Sequence, residues 1–148
     1  MADPFGKYDV YSVASSIYCY PDSSVLKNKL DIRDPVLLRK VEADLSSARQ
    51  AEIFRTPVVG RFTATHLCNI HRKLLGDVYS FAGHFRREDI AKGTTRFVTY
   101  SQIKEKLQRL LGQLQQEKWL ENVPFEAFAA RSAYYMAELN YIHPFREG

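Results

Sequence analysis

The sequence predicts an all-α domain, a bundle of four helices carrying one small β-hairpin. Apolar residues recur at three- and four-residue spacing in four segments, which places them on one face of a helix. A single glycine sits between two short β-prone pieces, the pattern of a hairpin. The chain has 148 residues, 45% of them hydrophobic and 13% aromatic, enough to close one compact core.

Residues 1–33 are rich in Tyr, Ser, Pro and Asp and show no sustained period. They read as an irregular N-terminal arm packed on the domain and anchored by Tyr18, Tyr20, Val25 and Leu26, with the helical domain at 34–148. Asp34-Pro35 is an N-cap followed by proline at the first helical position. Leu37, Leu38, Val41, Leu45 and Ala48 carry the first helix to about Phe54, and Gly60 marks the break after it. A second helix begins near Thr63, shows Leu67, Ile70 and Leu74 on one face, and stops at Gly76. An aromatic connection through Tyr79, Phe81 and Phe85 leads to the hairpin, Ile90 to Val98 around Gly93. Thr99 and Gln102 fit a capping box for the third helix, whose core stripe is Ile103, Leu107, Leu110, Leu111 and Leu114. Pro124 opens the fourth helix, which carries Phe125, Phe128, Ala129, Ser132, Met136 and Leu139. Apolar or small residues surround it nearly completely, so it is expected to be central and buried.

Composition narrows the function classes. The 21 basic and 17 acidic residues give a formal net charge of +4, both signs are interspersed, and no block of like charge forms. A nucleic-acid binder concentrates its basic residues on one element, so none is expected as a partner. No apolar run is long enough to span a bilayer, and the first residues lack a signal-peptide core, so the expected compartment is the cytoplasm. Cys19 and Cys68 lie in no zinc-type spacing and are expected to be free thiols.

Chemistry concentrates at His143-Pro144-Phe145-Arg146-Glu147-Gly148. Histidine titrates near neutral pH and can take the proton of an attacking hydroxyl. A carboxylate four residues later can hold Mg²⁺, which prefers one or two carboxylates plus phosphate oxygens. A glycine after it lets backbone N–H groups approach an anion. By spacing alone, His-Pro at a helix end is more often structural.

This segment resembles the Fic family signature His-x-Phe-x-(Asp/Glu)-Gly-Asn-Gly-Arg-x-x-Arg, with His143, Phe145, Glu147 and Gly148 matching in order. Gly93-Thr94-Thr95-Arg96-Phe97 is similar to the family's upstream hairpin flap. Ile70 to Leu75, Phe81-Ala82-Gly83 and an arginine such as Arg86 or Arg87 follow its pattern, as does the opening Tyr20-Pro21 with Leu26 to Leu30. The resemblance covers about residues 18–148 and implies a Fic-like helical bundle with a small β-hairpin flap. It implies a protein adenylyltransferase that moves AMP from ATP to a Ser, Thr or Tyr hydroxyl of a target protein, with ATP and Mg²⁺ as cofactors. By the same resemblance His143 is the general base, Glu147 the metal-holding residue, and Gly148 with Arg146 the nucleotide and anion loop. Pro144 and Phe145 are structural, and Gly93, Thr94, Thr95, Arg96 and Phe97 dock the target.

The signature's Asn-Gly-Arg is expected after Gly148, so the chain reads as truncated within its motif and, as written, nearly inactive. Alternatives are a death-on-curing-type kinase and a degenerate domain that binds a partner without catalysis. The spacing of Ser46, Ser47 and Glu52 does not match the family's inhibitory helix, which leaves a separate antitoxin or a further helix as the inhibitor. Delivery into a host cell as a bacterial effector is the alternative to a cytoplasmic location. His66 and His71 read as surface or core-edge histidines, and His84, Arg86 and Arg87 as solvated or paired residues at a turn.

Overall fold

A computed structural model of the chain describes residues 9–10 and 16–148; the rest of the arm, including the first residues read above, lies outside the described residues. In order run β1 (Asp9–Val10), α1 (Pro35–Arg55), α2 (Ala64–Leu75), β2 (Ile90–Lys92), β3 (Thr95–Arg96), α3 (Ile103–Gln116) and α4 (Phe125–Ile142). The fold is a helical bundle with a small antiparallel sheet, as the sequence predicts.

Local chemistry sets the helix starts. The Asp34 carboxylate accepts the Leu37 N–H at 2.6 Å while Pro35 supplies a helical φ, so α1 begins where the cap stands. Thr63 does the same for α2 by accepting the His66 N–H at 3.2 Å, and the Gly76 N–H closes that helix on the Arg72 carbonyl. Asp34→Ala is expected to cost about 1 kcal/mol of stability. That corresponds to a melting midpoint lower by about 2–4 °C in a thermal denaturation scan.

The expected capping box at Thr99 is absent. Thr99 makes no side-chain cap bond, and a 3₁₀ turn, Tyr100–Gln102, precedes α3. The cap comes from elsewhere in the chain: Asp89, just before β2, accepts the Tyr100 N–H at 2.7 Å.

The expectation of a buried α4 is also overturned. Only Ile142 of this helix is buried, while Phe125 is 78% and Met136 72% exposed. α4 packs against α3 and leaves the rest of its surface uncovered among the described residues.

The sheet has the order β1-β2-β3, with Val10 opposite Ile90 and Lys92 opposite Thr95. Gly93, at φ 57°, is the first residue of the two-residue turn between β2 and β3, a place that suits glycine. β1 lies in the segment that showed no period, because a two-residue strand is too short to carry one.

Two apolar clusters hold the domain. One joins Cys19, Val25 and Leu26 of the arm to Leu38 of α1, to Leu75 of α2, and to Val78 and Tyr79 after it. The other joins Val98, Ile103 and Leu110 to Ile142 at the end of α4. The motif of residues 143–148 lies between them. Cys19 and Cys68 are both free.

Candidate active site

α4 ends where His143 meets Pro144. A residue before proline is pushed out of the right-handed helical region, and proline has no N–H to continue the ladder. The helix stops there with His143 in a left-handed conformation, φ 45° and ψ 67°, while its own N–H still donates to the Leu139 carbonyl at 2.9 Å. Glycine usually fills this position, and strain in a larger residue here is of the kind that gathers at functional sites.

The bend lays the imidazole against Phe97, just past β3, with the rings stacked at 4.3 Å between centroids. Burial first, then the nearby charges of Arg86, Lys92 and Arg146, bring the His143 pKa down from 6.5 to about 4, against a hydrogen bond to the Asn140 backbone that raises it. The ring is thus neutral at physiological pH, as a proton acceptor must be. The same shift acts on stability. Between about pH 6.5 and 4 the unfolded chain binds the His143 proton and the folded chain does not. This contribution is present above the unfolded value and is lost as pH falls through that window. The melting midpoint is expected to drop between pH 7 and 5, and to drop less in His143→Ala.

The last carbonyls of a helix need partners, and α4 carries no basic residue in its last turn. Arg86 fills this need from the turn between α2 and β2. Its Nε donates to the His143 carbonyl at 2.8 Å, and its Nη2 to the carbonyls of Ile142 at 3.2 Å and of Val98. Its Nη1 donates to the Glu88 carbonyl at 2.9 Å, and its backbone N–H to the Pro144 carbonyl at 2.9 Å. The expectation of a solvated or simply paired turn residue is corrected here, since Arg86 is 2% exposed. His84 and Arg87 are exposed.

His71 of α2 is likewise more than a core-edge residue. Its Nδ1 accepts the Gly83 N–H at 2.8 Å, which leaves Nε2–H to donate to the Glu147 carbonyl at 2.7 Å. Its ring stacks on Phe145 at 3.8 Å between centroids, and Phe145 also meets Phe85. Burial lowers the His71 pKa, in agreement with the neutral tautomer these bonds require. Gly148 closes against this group: at φ 97°, an added Cβ would stand 2.7 Å from Leu75 Cδ1. His66 is tied to the Val58 carbonyl and the Phe62 N–H, away from the motif.

Arg146 is held from the side of the arm. Its side chain is 3% exposed, and its Nε pairs with Glu88 Oε1 at 2.9 Å. Glu88 also accepts Ser16 Oγ at 2.5 Å and the Ile17 N–H at 3.2 Å, so this pair ties the arm to the motif. In the flap, Gly93, Thr94, Thr95 and Arg96 are exposed and Phe97 is buried. β3 is the outer strand of the sheet, so one of its edges has no neighbouring strand among the described residues.

An open cavity of about 310 Å³ lies between α2 and α4 and reaches His143, Pro144, Phe145 and Gly148. No group of three or more His, Cys, Asp or Glu among the described residues is placed to hold a metal ion. Glu147 is the one carboxylate of the motif, and a carboxylate fits Mg²⁺ when phosphate oxygens and water complete the shell.

Sequence reasoning missed His71, Arg86 and Glu88. One signal pointed to Arg86: a helix ending in Ile142-His143-Pro144 without a basic last turn needs a cation from outside. His71 and Glu88 gave no local signal, because their partners are distant in the chain.

Known proteins are similar to this chain in sequence and in fold. The chain is 39% identical over 138 residues to "Protein adenylyltransferase VbhT" of Bartonella schoenbuchensis, covering 93% of the chain and 29% of that protein. It is 34% identical over 148 residues to "Probable protein adenylyltransferase Fic" of Salmonella typhimurium, covering all of the chain and 70% of that protein. Among solved structures, the N-terminal Fic domain of a VirB-translocated Bep effector from Bartonella quintana, with bound ADP, matches with a TM-score of 0.80 at 28% identity. That match covers 88% of this chain and 68% of the solved one. BepC of Bartonella tribocorum, with bound AMPPNP, matches with a TM-score of 0.80 at 27% identity over 88% of this chain and 70% of its own. The family-defining pattern falls on residues 61–148, from the approach to α2 through the His143 loop, and the chain belongs to the Fic/DOC family.

Proposed function

We propose that the chain carries the base and the metal-holding loop of a protein adenylyltransferase that moves AMP from ATP to a hydroxyl of a target protein. The observation that carries this reading is the His143 imidazole, which a left-handed helix end holds neutral and buried beside the hairpin. The target hydroxyl oxygen bonds to the α-phosphorus, and the bond from that phosphorus to the bridging oxygen of the β-phosphate breaks. Pyrophosphate leaves with the electron pair, and His143 accepts the hydroxyl proton.

Glu147 would hold Mg²⁺, whose chemistry is to offset charge on the phosphates. The Gly148 backbone offers the close approach that an anion needs. Arg146, whose Nε pairs with Glu88, keeps the loop in place and with Gly148 forms the nucleotide and anion loop. The target docks as an added strand along β3, with Gly93, Thr94, Thr95 and Arg96 at the exposed tip and Phe97 fixing the flap to His143. Nucleotides bound in the Bartonella structures and the names of the curated relatives support ATP as donor and AMP as the moved group. Among the described residues no helix is long and apolar enough to cross a membrane. The VirB-translocated effectors among the similar structures favour delivery out of the producing cell, and an antitoxin-like inhibitor is a further partner of this reading.

The test uses the complete protein, a bacterial or host lysate, and ATP labelled on either the α- or the γ-phosphate. Protein-bound label is expected from α-labelled ATP only. Label retained from the γ position would point to the kinase alternative and overturn this reading.

A further inference from the structure

We propose that Arg86 is a positioning residue for the reaction: one buried guanidinium fixes the loop that carries the base and the exit of the docking hairpin in a single register. This rests on the function proposed above, in which His143 takes the proton and β3 receives the target.

The geometry joins three segments far apart in the chain. From the turn before β2, Arg86 donates to the carbonyls of His143 and Ile142 at the end of α4 and to that of Val98 at the end of the hairpin. A direct contact closes the triangle, since the Val98 N–H donates to the Tyr141 carbonyl at 3.2 Å. Only a planar fork of five N–H donors can serve carbonyls on several sides at once; an ammonium is a single point with three. Among the described residues the Asp89 carboxylate stands at 3.8 Å, while the side-chain bonds to the His143, Ile142 and Glu88 carbonyls run at 2.8–3.2 Å. Burying a cation is costly, and an apolar side chain would fill the space at less cost to folding. What an apolar side chain could not do is hold the left-handed bend at His143 and the Val98 carbonyl together. Motion of the flap is therefore transmitted to the base.

The experiment compares Arg86→Lys and Arg86→Met with wild type in the complete protein, with rates referred to folded molecules. Three quantities are read: kcat and KM for AMP transfer, hydrogen exchange at the Val98 amide, and the His143 ring titration by NMR. In Arg86→Lys, kcat is expected to fall by about 10–100-fold because the base is misplaced by a fraction of an ångström to an ångström. KM for ATP should stay within about 2-fold while KM for the target rises, because the loss is in alignment and docking. The Val98 amide should exchange faster in both variants. His143 should stay near its wild-type titration in Arg86→Lys and rise toward 6.5 in Arg86→Met, with Lys92 and Arg146 still present in both. Arg86→Lys keeps the charge and carries the test if Arg86→Met loses the fold.

Wild-type kcat with unchanged Val98 protection in Arg86→Lys would overturn the proposal. So would a loss of rate that only tracks the folded fraction. If wild type transfers no AMP but the Val98 and His143 signals move as described, the adenylyltransferase reading fails and the clamp stands.

Discussion

His143→Ala in the complete protein is expected to lower AMP transfer by about 10²–10⁴-fold, the usual contribution of a positioned general base. The fold should survive, because the α4 end is also held by Arg86 through backbone carbonyls that the substitution leaves in place. Binding of ATP should change little, since the imidazole acts on the target hydroxyl. The pH profile provides a second check. Burial and three nearby cations hold His143 down to about 4, so the wild-type rate should rise with pH through that region and be level across neutral pH. An acid limb centred at 6.5, or transfer undiminished in His143→Ala, would remove the base from the mechanism. Isothermal calorimetry with ATP on the same variant separates loss of chemistry from loss of binding.

Glu88→Ala is expected to be the most destabilising substitution near the motif. It strips Arg146 of its carboxylate partner where the two side chains are 3% and 11% exposed, and it also releases Ser16 and Ile17 of the arm. Removing one member of a buried ion pair leaves an uncompensated charge and costs about 3–5 kcal/mol. For a domain of this size that corresponds to a fall of about 10 °C in melting midpoint. Adding Arg146→Met to Glu88→Ala removes the stranded charge and should restore much of the loss. Differential scanning calorimetry on both variants decides. A Glu88→Ala midpoint within about 2 °C of wild type would mean that water, not Glu88, balances Arg146.

Helix starts were legible in the sequence wherever one side chain decides them within a turn. Asp34 with Pro35, Thr63 and Gly76 stand at the expected ends because capping is a matter of two or three residues. The hairpin around Gly93 was legible for the same reason. Thr99 failed as a cap because the Gln102 N–H donates to the Thr99 carbonyl in a 3₁₀ turn, while Asp89 takes the Tyr100 N–H. The apolar residues of α4 mark surface available for burial, of which the described residues cover only part. His71 and Arg86 looked ordinary because polar residues show their roles only through their partners.

By itself the sequence determined the all-α class, most element boundaries, the order of residues in the His143 motif and, through that order, the family. Tertiary structure alone decided that Arg86 closes the end of α4, that His71 steadies the Glu147 backbone, that Arg146 answers Glu88, and that a short strand from the arm joins the hairpin. The division follows the range of the forces. Backbone sterics and capping bonds act within a few residues and leave a local trace, whereas the bond from His71 to Glu147 spans 76 residues and that from Arg86 to His143 spans 57. Contacts at such separations form only when the packed core brings the segments together.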